Sequence, residues 1–127
     1  MKSKFKIPGG LEPEAASFMR KVVAYLTNNN QLEDVDEGAL TMLARDYSLY
    51  IKASKDIDQN GLISKGSRGN DIPNPSIKIA NDSQIQALKI MEKFGLTAKD
   101  RAKMSISTDD DEESPLMQFI NGDKETR

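Results

Sequence analysis

A polar, glycine-rich stretch from Asp56 to Pro75 constrains the fold of this chain more than any other feature. Its twenty residues, DIDQNGLISKGSRGNDIPNP, include three glycines and two prolines. Glycine and proline at this density disfavour a helix, so no single helix runs through the stretch. The segments on either side carry apolar residues at the three- and four-residue steps of amphipathic helices. The chain therefore turns here, and two interpretations of the turn are open.

The first interpretation is a calcium-binding EF-hand loop. Six residues fall where such a loop has its first, third and fifth ligands, its turn glycine, its core isoleucine and its ninth position: Asp56, Asp58, Asn60, Gly61, Ile63 and Ser64. The twelfth position, normally a bidentate Glu, is Ser67, which removes a charge and a ligand. Residues 66–73 also disfavour the second helix of that motif. Both departures weigh against calcium binding.

The second interpretation is a β-hairpin between helices, at about residues 61–73. It has a strand at residues 62–64, a turn at residues 65–69 with glycines where a positive φ is needed, and a return at residues 70–73. An isolated hairpin is marginal in water, so we expect it to pack against something, such as a neighbouring subunit. Lys65 and Arg68 then lie at its exposed tip, either solvated or in reach of a phosphate.

Two helices are predicted before this stretch. The first runs from Pro13, which is tolerated in a first turn, to about Asn28. The second has Asp36 at its N-cap and reaches about Ile57. Because their connection is short, the two helices are expected to be antiparallel neighbours.

A third helix is predicted after the stretch, with Asn74 as its cap, Pro75 as its first residue and an end near Phe94. Its main apolar face includes Ala80, Ala87 and Leu88. Ile79 and Ile90 lie on another face. A helix that is apolar on two sides needs two partners, so we predict that Ile79 and Ile90 form an interface with another copy of the chain.

Gly95 is expected to end this helix in a left-handed conformation, followed by a short final helix that opens at Thr97 and ends near Met104. The predicted organisation is a flexible basic arm at residues 1–10, a helical core domain at residues 11–104 and a disordered acidic tail at residues 105–127. The tail contains an apolar segment that either docks on a partner or packs on its own domain: Leu116, Met117, Phe119 and Ile120.

The composition excludes several classes of function. The chain has no cysteine and no histidine, which removes disulfides, thiolate nucleophiles, histidine-based acid–base chemistry and zinc sites with those ligands. We therefore expect no enzyme, no cofactor and no metal. No hydrophobic stretch suits a signal peptide or a membrane span, so a soluble cytoplasmic protein is expected.

Positive charge is concentrated away from the tail. Residues 1–107 carry sixteen Lys or Arg against thirteen Asp or Glu, whereas residues 108–127 carry two against seven. The second helix has Arg45, Ser48, Lys52 and Lys55 at steps of three, four and three, nearly opposite its apolar face. This basic stripe is either a solvated helix face or a surface that follows DNA phosphates, and the arm residues Lys2, Lys4 and Lys6 have the same two interpretations.

The order of these features resembles the small subunit of phage and prophage terminases. The resemblance covers about residues 8 to 104 and is carried mainly by Asn74-Pro75 and by the run from Phe94 to Arg101, FGLTAKDR. Leu40, Ala44 and Tyr47 are similar to the family's pattern in its second helix. The tail segment from Ser114 to Ile120 is similar to the ends of many members.

The resemblance implies a mainly α fold with two antiparallel helices, a short hairpin, a third long helix and a short C-terminal helix, assembled as a ring-shaped homo-oligomer. It also implies a non-enzymatic subunit that binds double-stranded viral DNA in the host bacterial cytoplasm and delivers it to the large terminase subunit, which carries the ATPase and nuclease. The candidate DNA contacts are Lys2, Lys4, Lys6, Arg45, Lys52, Lys55, Lys65 and Arg68. A helical transcriptional regulator and a calcium-responsive interaction module are the alternatives.

Overall fold

The structure, a computed structural model, describes residues 5–102. The chain divides into two compact units, Met1–Ile90 and Met91–Arg127. Its elements are α1 (Pro13–Asn28), a 3₁₀ turn (Asp34–Asp36), α2 (Glu37–Asn60), β1 (Ile63–Lys65), β2 (Asp71–Pro73) and α3 (Pro75–Lys93). The predicted mainly helical fold with one hairpin is confirmed. None of the helices in residues 5–102 is long and apolar enough to cross a membrane.

Helix α1 has the predicted bounds. Glu12 precedes a proline and is therefore extended, with φ −59° and ψ 145°, and Pro13 occupies the first turn, where no backbone N–H is needed. The buried face consists of Ala15, Met19, Val22 and Leu26. These residues are three or four positions apart, as one face of a helix requires.

Helix α2 begins where predicted, but Asp36 has a different role from the one expected. Its carboxylate accepts a hydrogen bond from the backbone N–H of Glu33 at 3.1 Å and makes no side-chain cap to α2. Asp36 and Glu33 instead form a capping box around the 3₁₀ turn. At its other end α2 continues three residues beyond Ile57, to Asn60, and stops at Gly61.

Helices α1 and α2 are antiparallel neighbours, as predicted. The rings of Phe18 and Tyr47 stack between them with centroids 4.5 Å apart. Near the start of α1 and the end of α2, Glu14 accepts a hydrogen bond from Lys55. The largest fully buried side chains are Met19, Leu26, Leu40 and Leu43. Each such burial stabilises the fold by about 1.5–3 kcal/mol, so this pair of helices holds the core.

The central stretch is a hairpin. Strands β1 and β2 are antiparallel, with Ser64 opposite Ile72 and Lys65 opposite Asp71. The first five positions of the alternative calcium loop, Asp56 to Asn60, are the last turn of α2 and cannot wrap around an ion. Ile63, the core isoleucine of that alternative, is 59% exposed. The hairpin interpretation is therefore the one that the structure supports.

A polar junction joins the end of α2, the hairpin and the start of α3. The carboxylate of Asp56 accepts hydrogen bonds from the side chains of Ser76 at 2.6 Å, Asn60 at 2.7 Å and Asn74 at 3.2 Å. Asn74, which is 6% exposed, also donates to the carbonyl of Gly61 and accepts from the backbone N–H of Ser76. Asn74 therefore caps α3 as predicted and ties it to the hairpin.

Helix α3 buries small side chains and exposes large ones. Its buried residues are Ala80, Ser83 and Ala87, whereas Ile85 and Leu88 are 51% and 42% exposed. Leu88 therefore does not belong to the buried face, contrary to the prediction. The buried Ser83 satisfies its hydroxyl by donating to the carbonyl of Ile79 within the helix. With only small groups buried, α3 leaves much of its apolar surface in solvent.

In the second unit, the end of α3 has the predicted left-handed glycine. Gly95 has φ 67°, and the backbone N–H of Leu96 donates to the carbonyl of Met91 at 2.9 Å, which satisfies one of the last helical carbonyls. The hydroxyl of Thr97 accepts from the backbone N–H of Asp100 and opens a helical segment at residues 98–102. The predicted end near Met104 and the acidic tail lie outside the described residues, and the predicted three-part organisation stays a prediction.

Candidate nucleic-acid interface

The N-terminal segment lies in an irregular conformation before α1. Residues 1–4, with Lys2 and Lys4, are outside the described part of the chain; Lys6 is exposed, and Phe5, Ile7 and Pro8 are half-buried. Gly10 has φ 78°, a value that L side chains rarely adopt, so the direction of the chain at this point depends on glycine. Flexibility of the arm stays a prediction.

A hydrogen bond attaches the end of this segment to the middle of α2. The backbone N–H of Glu12 donates to Ser48 Oγ at 2.8 Å, in a partly buried position. That N–H belongs to the residue before α1 and has no partner inside the helix. Ser48 therefore satisfies a backbone donor that the helix cannot satisfy itself.

Arg45 and Lys52 flank this attachment. Together with Ser48 and Leu49 of α2 they line a surface depression of about 360 Å³, whose other side is formed by Gly10, Leu11 and Glu12. Arg45 and Lys52 are seven residues apart, two helical turns, and so lie on the same face. Both are exposed, and no ion pair within residues 5–102 involves either of them.

Lys55, the third cation of the basic stripe, is paired instead. Its Nζ lies 2.8 Å from Glu14 and 4.0 Å from Glu12. The hydrogen bond from Lys55 lowers the pKa of Glu14, and the same bond raises the pKa of Lys55. Lys55 therefore already has carboxylate partners in Glu12 and Glu14, and the cations of the stripe without an ion pair in residues 5–102 are Arg45 and Lys52.

The two cations predicted at the hairpin tip also differ from each other. Lys65 forms an ion pair with Asp71, the residue directly opposite it, at 2.5 Å. Arg68 is exposed in the turn, which is closed by a hydrogen bond from the N–H of Gly69 to the carbonyl of Gly66. Of these two, Arg68 is the side chain available to an anion.

The predicted interface residues of α3 are on the surface to different degrees. Ile79 is 41% exposed and Ile90 is half-buried. Ile79 and Leu49, which is 45% exposed, line a shallow groove with Asp46 and Asp82. Burial raises the pKa of Asp46.

The predicted docking segment, Leu116 to Ile120, lies outside the described residues.

The sequence did not reveal the partners of Lys55 or the role of Ser48. Glu12 and Glu14 are more than forty residues from Lys55, and only the antiparallel packing of α1 on α2 brings them together. Two acidic residues at the start of one helix and a lysine near the end of the next were a usable signal. No sequence signal indicated the role of Ser48, because its partner is the backbone N–H of Glu12.

The fold and this depression define a small, mainly helical protein with cations on one helix face. A family model described as phage terminase, small subunit, matches residues 15–111, which is most of the chain. The chain belongs to the phage terminase small-subunit family, as the resemblance predicted, and so has a role in phage genome packaging. Comparisons with curated proteins and with solved structures gave no match.

Proposed function

We propose that this protein binds double-stranded viral DNA through the surface around Arg45 and Lys52 and, without catalytic activity of its own, brings that DNA to the large terminase subunit. Family membership supports the packaging role. The observation that carries the DNA contact is the pair of exposed cations, Arg45 and Lys52, on one side of the depression. Exposed cations that form no ion pair within residues 5–102 are available to DNA phosphates.

The other predicted DNA contacts can be ranked by whether each cation is exposed and whether it already has a carboxylate partner. Arg68 and Lys6 are also exposed and are proposed as further DNA contacts. Lys55 and Lys65 already have carboxylate partners, so a phosphate must compete for them. We expect their removal to weaken DNA binding less than removal of Arg45 or Lys52. Lys2 and Lys4 are proposed as contacts from their charge alone.

The DNA contact is tested by measuring binding to a fluorescent duplex over a series of salt concentrations. The slope of log Kobs against the logarithm of the salt concentration is negative, and its magnitude decreases by about 0.9 for each phosphate that the protein no longer neutralises. The magnitude is therefore expected to be about 1.8 smaller for an Arg45→Ala/Lys52→Ala variant than for the unaltered chain. Arg20→Ala/Lys21→Ala is the matched control, because these two residues are exposed cations of α1 that do not line the depression. An equal loss in both variants would contradict the assignment.

Contact with the large subunit is proposed for the tail segment Leu116, Met117, Phe119 and Ile120. A Leu116→Asp/Phe119→Asp variant is expected to lose binding to the purified large subunit in a sedimentation or pull-down assay. DNA affinity should stay near the unaltered value, because the substituted positions are in the acidic tail. Retained binding to the large subunit would exclude this segment as the contact.

Assembly into a closed homo-oligomeric ring is proposed through α3, including Ile79 and Ile90. The support is the exposed aliphatic surface of that helix, because large apolar side chains in water favour association. Ile85 and Leu88 are further exposed aliphatic side chains of α3, on other sides of the helix from Ile79 and Ile90.

A further inference from the structure

We infer that Ser48 is a positioning residue that fixes the N-terminal segment beside α2, so that Lys6 and the pair Arg45 and Lys52 contact the same stretch of DNA backbone. This inference rests on the proposed DNA binding. The structural basis is the hydrogen bond from the backbone N–H of Glu12 to Ser48 Oγ, 2.8 Å long. It joins residues thirty-six positions apart in the sequence.

The backbone conformation of Glu12 is fixed by Pro13 and by a hydrogen bond from Ala16. Pro13 restricts Glu12 to an extended conformation, and the carbonyl of Glu12 accepts the first helical hydrogen bond, from Ala16, at 3.0 Å. The residue is therefore fixed relative to α1, while its N–H points at α2. Ser48 is half-buried and adds the contact to α2. This hydrogen bond therefore joins the start of α1 to the middle of α2.

The distance along the chain is short enough for a shared DNA contact. Gly10 lines the depression with Arg45 and Lys52, and Lys6 is four residues before it. Four residues span at most about 14 Å. One strand of duplex DNA carries a phosphate for each ~3.4 Å of helix axis, so Lys6 stays within about four phosphates of the depression.

The hydrogen bond between Glu12 and Ser48 affects DNA affinity because it reduces the conformational entropy that the N-terminal segment loses on binding. A cation on an unrestrained segment loses chain and side-chain freedom when it meets a phosphate, which offsets part of the contact. A segment that is held beside the second contact acts at a high effective concentration. Ser48 touches no DNA in this scheme and acts only through the position of the segment.

The first test is a double-mutant cycle in the full chain, with duplex binding as the readout. Ser48→Ala is expected to lower affinity and to reduce the salt slope by up to about 0.9, the value for one phosphate contact. In a chain that already carries Lys6→Ala, Ser48→Ala should change neither quantity further. Ser48→Thr keeps the hydroxyl and should restore both. Ser54→Ala is the control, a half-buried serine of the same helix.

The second test needs no DNA. Because the sequence has no cysteine, a single Lys6→Cys change gives one site for a nitroxide label. Electron paramagnetic resonance is expected to show greater mobility of that label when Ser48→Ala is added, and no change with Ser54→Ala. Unchanged mobility would overturn the inference whatever the DNA result.

The outcomes separate this inference from the function on which it rests. A full chain that binds duplex DNA with a salt slope unaffected by Ser48→Ala overturns the positioning role alone. Independent losses from Ser48→Ala and Lys6→Ala overturn it as well. A full chain without salt-dependent DNA binding overturns the proposed function and this inference together.

Discussion

At the scale of single residues, Asp56 shows how a residue type is ambiguous until its surroundings are known. Its position in the sequence suits the first ligand of a calcium loop, yet in the structure it accepts three side-chain hydrogen bonds at the junction before α3. The hydrogen bond from Ser76, followed by those from Asn60 and Asn74, lowers the pKa of the Asp56 carboxyl. Its charge therefore stabilises the junction.

Asp56 should make stability depend on acid pH. Its pKa is lower in the folded chain than its ordinary value of 3.8, so its contribution is present above that value and is lost as pH falls through the folded-state pKa. Denaturant unfolding is expected to show Asp56→Asn less stable than the unaltered chain at pH 6. The difference should shrink below pH 3.8.

Asp58→Asn is the control for this prediction, because Asp58 is an exposed carboxylate in the same helical turn. Its substitution should change stability less than that of Asp56, because Asp58 accepts none of the three junction hydrogen bonds. A stability difference for Asp56→Asn that stays constant down to the acid limit of folding would show that geometry, and not charge, matters at the junction.

At the scale of elements, three helix boundaries were predictable from the sequence around them. Pro13, Asn74-Pro75 and Gly95 act locally, through a fixed φ, a side-chain cap and a left-handed conformation, so the sequence around each one is sufficient. The end of α2 was predicted three residues too early: the helix continues to Asn60, and Asp56 in its last turn bonds to Asn60 within the helix and to Asn74 beyond it. That contact joins residues 18 positions apart and has no local signature.

Gly61 should be the least replaceable residue at the end of α2. With φ 84° and ψ −173° it occupies a region that is essentially restricted to glycine. Gly61→Ala is expected to lower the free energy of unfolding by about 1–3 kcal/mol, and Gly61→Asn should not rescue it, because asparagine tolerates the left-handed helical region and not this one.

The same substitution at Gly38 gives the opposite expectation. Gly38 lies in the first turn of α2, and a Cβ added there would meet no atom within 4 Å, so Gly38→Ala should raise stability by up to about 1 kcal/mol. Thermal and denaturant unfolding measure both changes. Equal effects at the two glycines would show that backbone conformation does not determine the cost at Gly61.

At the scale of the whole molecule, the sequence indicated the helical class and the family but not the distribution of apolar surface. Leu88 shares a helical pattern with Ala80 and Ala87, yet the two alanines are buried and Leu88 is not. The period of a helix defines which residues share a face; how far that face is covered depends on the neighbouring elements. The depression beside Arg45 likewise requires the position of Gly10, which no sequence pattern specifies.

The exposed surface of α3 should control assembly. Ile79→Asp/Ile90→Asp is expected to shift the native mass, measured by light scattering, toward the monomer at micromolar concentration, because charge in an apolar interface is costly to bury. Val35→Asp is the matched control, since Val35 is 84% exposed and lies in the 3₁₀ turn. A mass that is unchanged in the double variant would exclude α3 from the interface.

The small buried side chains of α3 have a kinetic consequence. Ala80, Ser83 and Ala87 remove little apolar area from water, so opening of this helix costs less free energy than opening of the α1–α2 pair with its buried Met19 and Leu40. Amide hydrogens of α3 should therefore exchange with deuterium sooner than those of α1 in dilute protein. In the proposed assembly through α3, a newly made copy carries this incompletely protected helix until it meets another copy. The rate of that encounter would then set how long the helix stays open to proteolysis.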